Sequence, residues 1–173
     1  MSESEAGEFQ GLNFKIPTQE EISKIRQDWE KYWNERKGEM LEKEALEKLL
    51  SENSDPGNTS DNKTIPGSCQ VDSPQVLYTI YSLYFGDENA RREVAHEVEH
   101  AQVYESHGIP YHYGIALGKV GENGIYGVAL VNPEFPTDMG IEERRAIINE
   151  ANIAVTHPSS RDIAAIKKHE TSS

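Results

Sequence analysis

The fold is decided by residues 87–108, which read DENARREVAHEVEHAQVYESHG. This stretch opens with Asp87 as an N-cap residue and an acidic first turn, and it closes with Gly108, a residue suited to the position after a helix. On a helical wheel, His96 and His100 face away from an aliphatic stripe, which consists of Ala90, Val94, Val98 and Ala101. The sequence therefore predicts a helix that packs its aliphatic side into a core and turns two imidazoles towards a cleft.

The centre of this helix carries the pentapeptide His96-Glu97-Val98-Glu99-His100. Residues i and i+4 lie on one helical face, so the two imidazoles can bind one metal ion. Glu97 lies roughly 100° around the helix and can hold an attacking water beside that ion. The pattern is the minimal set for a hydrolytic zinc site, although two solvated histidines on a polar helix face would produce the same pattern.

At these residues the chain resembles the zincin metallopeptidases, with SprT-like and gluzincin-like features, and the resemblance covers residues 75–152. It implies that His96 and His100 bind one zinc ion, and that Glu97 is the general base that activates a water for attack on a scissile carbonyl. It also implies that a sheet edge beside the helix holds the substrate as an added strand. An oxyanion donor would be a tyrosine such as Tyr104, Tyr111 or Tyr113.

A catalytic zinc site needs a third protein ligand and one position open for water. His112 is the first candidate, because it follows the helix-ending Gly108 and Pro110, which favours an extended turn that could double back under the metal. The spacing resembles that of SprT-like zincins. It departs from their pattern in that the expected histidine-glycine pair reads His112-Tyr113 and the spacing is shorter by about one residue.

Glu150 is the alternative third ligand, because Ile148-Asn149-Glu150-Ala151 resembles the glutamate-bearing helix of gluzincins, although Ala154 stands where their supporting aspartate is expected. His107 lies about two helical turns beyond His100 and is better placed to interact with the helix C-terminus. Cys69 has no metal-binding motif around it and is interpreted as a lone thiol in a loop. His112 and Glu150 therefore stay open as the two alternatives.

The chain as a whole predicts an α+β fold, a small zincin-like domain whose HExxH helix lies beside a short mixed or antiparallel sheet, with a helical N-terminal extension. Residues 74–85 are rich in aromatic and β-branched side chains and predict a strand, with a helix as the competing interpretation. Residues 111–120 and 124–131 predict a hairpin. Residues 141–153 predict an amphipathic helix, and residues 161–168 a last short one.

Composition divides the chain into five segments. Low hydrophobic content predicts disorder, heptad-like apolar spacing predicts helices, and a run of Ser, Asp, Asn, Gly and Pro predicts a linker. In order, the segments are a disordered acidic N-terminus (1–17), a helical extension (18–53), a linker or lid (54–73), the zincin-like metallopeptidase domain (74–168) and a tail (169–173).

The charge of the 173-residue chain restricts its partners, because 17 Lys and Arg stand against 30 Asp and Glu, a net charge of −13. Binding to a phosphate backbone needs clustered basic residues, so no nucleic acid is expected as the main partner. No apolar run of about 18 residues is present, so no membrane partner is expected, and the Ser-Glu-Ser-Glu start is unlike a signal sequence. With one cysteine, no internal disulfide framework can form. The expectation is a cytoplasmic protein.

Two hypotheses from different classes follow. The first is a zinc metallopeptidase that acts on a peptide or protein substrate, with Glu97 as its catalytic base. The second is a noncatalytic zincin-like module that binds metal for structure, or binds a partner through its N-terminal helices. Glu97 favours the enzyme, because a purely structural zinc site has no need of a base beside its ligands.

Overall fold

A computed structural model describes residues 12–53, 65–155, 162–163 and 166–167. Within these ranges the α+β class is confirmed, with five α-helices and a small four-stranded mixed sheet. The elements, in chain order, are α1 (Gln19–Arg36), a 3-10 turn (Lys37–Glu39), β1 (Leu41–Glu42), α2 (Lys43–Asn53), β2 (Ser68–Val71), α3 (Pro74–Phe85), α4 (Asp87–Ser106), β3 (Tyr111–Val120), β4 (Gly124–Pro133) and α5 (Ile141–Ala154).

The sheet is organised around β3. One side of β3 pairs with β4 in an antiparallel register that runs from Tyr111 opposite Pro133 to Val120 opposite Gly124. The other side pairs with two short strands, β2 in antiparallel orientation and β1 in parallel orientation. The predicted hairpin is therefore confirmed, and its turn contains Gly121 at a positive φ of 65°, a conformation that glycine adopts without strain.

Residues 74–85 form the helix α3, so the preferred prediction of a strand was wrong and the competing interpretation was right. The Ser73 hydroxyl accepts a hydrogen bond from the backbone N–H of Val76, and Pro74 occupies the first turn, where its missing N–H costs nothing. The run lacks a polar face because α3 contacts α1, α4 and the sheet. A helix that is buried on most sides shows no amphipathic period, and its aromatic content then imitates a strand.

Helix α4 confirms the prediction made for residues 87–108, with Gly86 as its N-cap rather than Asp87. Its aliphatic stripe is buried in the main core cluster, where Val94 and Ala90 are fully enclosed. The same cluster contains Trp29 and Trp33 of α1, whose rings stack with centroids 5.2 Å apart. The core therefore fixes one side of α4 and leaves the histidine side facing away from it.

The segment before α4 contributes to the same core. Phe14 is buried against Tyr78, and the Trp29 Nε1–H donates a hydrogen bond of 2.8 Å to the Tyr84 hydroxyl. Part of the range interpreted as a linker or lid contains β2, which extends the sheet. Residues 1–11, 54–64 and 169–173 of the predicted terminal and linker segments lie outside the described residues, and the helix predicted at 161–168 is described only at 162–163 and 166–167, which are helical.

Candidate metal centre

His96, Glu97 and His100 come together in the middle of α4. Their potential ligand atoms all lie within 4.8 Å of one another, and the Nε2 atoms of the two histidines are 3.0 Å apart. His100 and Glu97 are each only 6% exposed. His96 is partly buried, so this side of the helix is not a solvated face, and polar groups enclosed in this way need polar partners.

The ring of His100 is oriented by α5. Its Nδ1 lies 2.9 Å from the backbone carbonyl oxygen of Ala151. Because a carbonyl oxygen only accepts, Nδ1 carries the proton of this hydrogen bond, and Nε2 is the nitrogen that faces His96. Metal-binding histidines commonly donate their second N–H to a carbonyl in this way, which fixes the tautomer and the ring. The contact is possible because Ala151 is fully buried beside Ile147 and Tyr104.

Asp162 closes the other side of the cluster. Its Oδ2 lies 2.9 Å from His96 Nε2, and its Oδ1 lies 3.3 Å from His100 Nε2. The residue is 8% exposed, so the carboxylate is held in the interior beside both rings. Sequence reasoning missed Asp162, because it follows His100 at a long distance along the chain and no motif surrounds it. Only the folding of the chain after α5 brings it to the histidines.

The charged groups of the cluster influence the pKa values of His96 and Tyr104. Burial is the largest influence on the pKa of His96 and lowers it, but the hydrogen bond to Asp162 and the negative charges of Glu97, Asp162 and Glu93 together raise the pKa above its ordinary value. Burial, and then the charges of Glu97 and Asp162, raise the pKa of Tyr104. The Tyr104 hydroxyl is therefore a neutral donor near two carboxylates.

His112 lies on another side of α4. It is on β3, and its Nδ1 is 3.1 Å from Oε1 of Glu134. Together with Val98, Ala101 and Gln102 it lines a cavity of about 630 Å³. These three positions of α4 fall roughly 140° to 240° around the helix from His96. The structure thus does not bring His112 to the histidine pair.

The other candidate residues are also engaged elsewhere. Glu150 Oε2 lies 2.7 Å from Nε2 of His107 in an exposed contact. The Cys69 thiol is on β2 and donates to the Gln70 carbonyl oxygen at 3.3 Å. Tyr111 and Tyr113 line the same cavity as His112. Burial is the largest cause of the raised pKa of Tyr104, and the charges of Glu97 and Asp162 raise this pKa further, so Tyr104 lies near the cluster.

Comparison with known proteins adds nothing to this picture. The chain matches no family model, no curated protein and no solved structure. The interpretation of the cluster therefore depends on the chain's own residues.

The donor atoms of the cluster suit a zinc ion. Imidazole nitrogens and carboxylate oxygens are the ligands that zinc takes in catalytic sites. The second hydrogen bond of His100, to the Ala151 carbonyl, is the support that such a ligand needs. The residues present thus fit a zinc ion.

No helix in the described ranges is both long enough and apolar enough to cross a membrane.

Proposed function

We propose that this protein is a zinc-dependent peptidase, with the metal held by His96 and His100 and with Glu97 as the general base. The observation that carries the proposal is the pair of histidine Nε2 atoms, 3.0 Å apart, with a carboxylate oxygen of the buried Glu97 within 4.8 Å of both. A base can act through a single intervening water over such a separation. A bound zinc would supply Lewis acidity, which lowers the pKa of a water and polarises a carbonyl.

Three side chains of the protein have the remaining roles in the proposed reaction. Glu97 accepts a proton from the attacking water and delivers it to the amine that leaves when the peptide bond breaks. His100 is held in its binding tautomer by the Ala151 carbonyl. Tyr104 is a neutral buried donor near Glu97 and is the side chain best suited to stabilise negative charge on the carbonyl oxygen.

The sheet supports a peptide as the substrate class. Among the described residues, β4 pairs with β3 alone, so its other edge can accept hydrogen bonds from an added strand. Helix α4 packs against β4. An extended peptide on this edge would gain backbone hydrogen bonds beside the helix that carries Glu97. The negative charge of the chain favours neutral or basic peptides.

The proposal is tested with Glu97→Gln in zinc-loaded protein. Cleavage of unfolded casein and of a mixed peptide library is followed by mass spectrometry, and bound zinc is measured by elemental analysis. We expect the variant to keep one zinc per chain and to lose about 10²–10⁴-fold in cleavage rate, because the proton acceptor is gone while the ligands remain. Glu88→Gln, the same change at an exposed position of α4, is the matched control and should behave as wild type.

Two results would contradict the proposal. Full activity in Glu97→Gln would remove the residue from the chemistry. A wild-type protein that binds one zinc but cleaves none of the peptides would favour the noncatalytic metal-binding module over the peptidase.

A further inference from the structure

Four atoms with lone pairs converge at the site, namely the Nε2 atoms of His96 and His100 and the two carboxylate oxygens of Asp162. His100 Nε2 faces both His96 Nε2 at 3.0 Å and Asp162 Oδ1 at 3.3 Å. Because Nδ1 of His100 carries the proton donated to Ala151, a neutral His100 has a bare lone pair at Nε2. A neutral His96 has one N–H, which can donate either to His100 Nε2 or to Asp162. In either case His100 Nε2 and Asp162 Oδ1, which are both acceptors, face each other with no proton between them.

Two arrangements resolve this conflict. In the first, one additional proton lies between His100 and Asp162, which gives either a buried ion pair or a neutral carboxylic acid that donates to His100 Nε2. In the second, one cation takes the lone pairs of all three groups at once. The second arrangement satisfies the lone pairs of His96, His100 and Asp162 together and leaves Glu97 outside the ligand set, whereas a buried ion pair usually contributes little net stability.

We propose that Asp162 is the third protein ligand of the metal centre, with His96 and His100 as the other two. The inference rests on the proposed zinc site and completes it. A tetrahedral zinc with bonds of about 2.0–2.1 Å has ligand atoms about 3.3 Å apart. The separations here are 3.0 Å between the two histidine Nε2 atoms, 2.9 Å from His96 Nε2 to Asp162 Oδ2 and 3.3 Å from His100 Nε2 to Asp162 Oδ1. They are close to that spacing, and each histidine faces a different oxygen of the one carboxylate.

The ligand set has a consequence for the chemistry. Three protein ligands leave a fourth tetrahedral position for water, which is the arrangement of catalytic rather than structural zinc. Glu97 then stays outside the ligand set and is available as the base. Two of the ligands come from α4 and the third from the chain after α5, so the site ties the C-terminal part of the described chain to the motif helix.

Asp162 replaces both alternatives left open by the sequence. His112 lines the cavity beside Val98 and Ala101 and contacts Glu134. Glu150 contacts His107 at the surface. For His112 or Glu150 to bind the metal, its side chain would have to leave its present partner. Asp162, in contrast, already contacts both histidines.

The inference is tested by metal affinity rather than by activity. Metal-free protein is titrated with Zn²⁺ in competition with a chromophoric chelator, and with Co²⁺, whose visible absorption reports the ligand set. We expect Asp162→Asn to weaken zinc binding by more than about 100-fold, since even the loss of a residue that only supports a ligand costs about 10–100-fold. His112→Ala, Glu150→Gln and the exposed control Asp138→Asn should retain wild-type affinity and the wild-type cobalt spectrum.

A second measurement protects the test against a variant that fails to fold. X-ray absorption at the zinc edge of the wild-type protein should give two imidazole ligands and the remainder as oxygen, whereas three imidazoles would point to His112. Wild-type affinity in a folded Asp162→Asn would overturn the assignment of Asp162 and leave the zinc site of His96 and His100 standing. A wild-type protein that binds no zinc would overturn the metal centre as well, and the additional proton between His100 and Asp162 would then explain the cluster.

Discussion

Among the described residues, three carboxylates contact histidines at similar distances but in unequal surroundings, and one of these carboxylates, Asp162, contacts both His96 and His100. The distances are 2.9 Å for His96–Asp162, 2.7 Å for His107–Glu150 and 3.1 Å for His112–Glu134. In the first contact the two side chains are 12% and 10% exposed, whereas the carboxylates of the other two are 56% and 58% exposed. Distance alone thus does not separate the proposed metal site from the surface pairs, whereas burial and a second converging histidine do.

The largest effect expected from this comparison is on metal binding. Replacing His100 with Ala removes one of the two imidazole nitrogens proposed to bind the metal, so zinc affinity should fall by more than about 100-fold. Replacing His107 with Ala, on the same helix, should leave affinity unchanged, because its partner Glu150 is a surface group. The measurement is zinc titration against a chelator on protein prepared without an affinity histidine tag.

Loss of zinc from His107→Ala as well would contradict the distinction between the buried and the exposed histidine contacts. That result would show that the contact at the end of α4 belongs to the metal centre. Circular dichroism of both metal-free variants controls for loss of the helix.

A smaller effect, on the free energy of unfolding, is expected from the packing that holds α5 beside the site. Ile147 is buried beside Tyr104 and Ala151, the residue whose carbonyl holds His100. Ile147→Ala should lower the free energy of unfolding by about 2–5 kcal/mol through lost burial and a cavity, while one zinc per chain is retained. Ile153→Ala on the same helix removes an exposed side chain and should cost less than about 0.5 kcal/mol. Urea unfolding in excess chelator measures both.

Equal costs for the two isoleucine variants would contradict the packing of α5 against α4. Loss of zinc from a folded Ile147→Ala would show instead that this side chain positions the Ala151 carbonyl.

The sequence predicted the features that depend on short-range pattern. Helix α4 and the β3–β4 hairpin follow from caps, apolar spacing and a glycine turn, all of which lie within about twenty residues. Helix α3 was misjudged because burial on several sides removes the polar face that marks a helix. The local cues that do identify α3 are Ser73 and Pro74, an N-cap followed by a proline in the first turn.

The candidate site also contains residues that short-range pattern predicts and one residue that it does not. His96, Glu97 and His100 are found from the sequence because one helix presents them. Asp162 is brought to them only by tertiary structure, so the spacing of residues along the sequence does not indicate its contact with both rings. The candidates that local patterns suggested, His112 and Glu150, each have a carboxylate or imidazole partner of their own.

The smallest effect is expected for the exposed pair of His107 and Glu150, although its 2.7 Å contact is the shortest of the three. Both side chains are well solvated, so water competes with the contact and salt screens any charge attraction between them. A double-mutant cycle with His107→Ala and Glu150→Ala, measured by urea unfolding of the metal-free protein, should give a coupling energy below about 1 kcal/mol. The coupling should weaken further when salt is raised from about 0.1 M to about 1 M, where the screening length falls from about 10 Å to about 3 Å. A coupling above about 2 kcal/mol that resists salt would show that this contact is structurally equivalent to the buried one, and burial would then no longer separate the metal centre from the surface pairs.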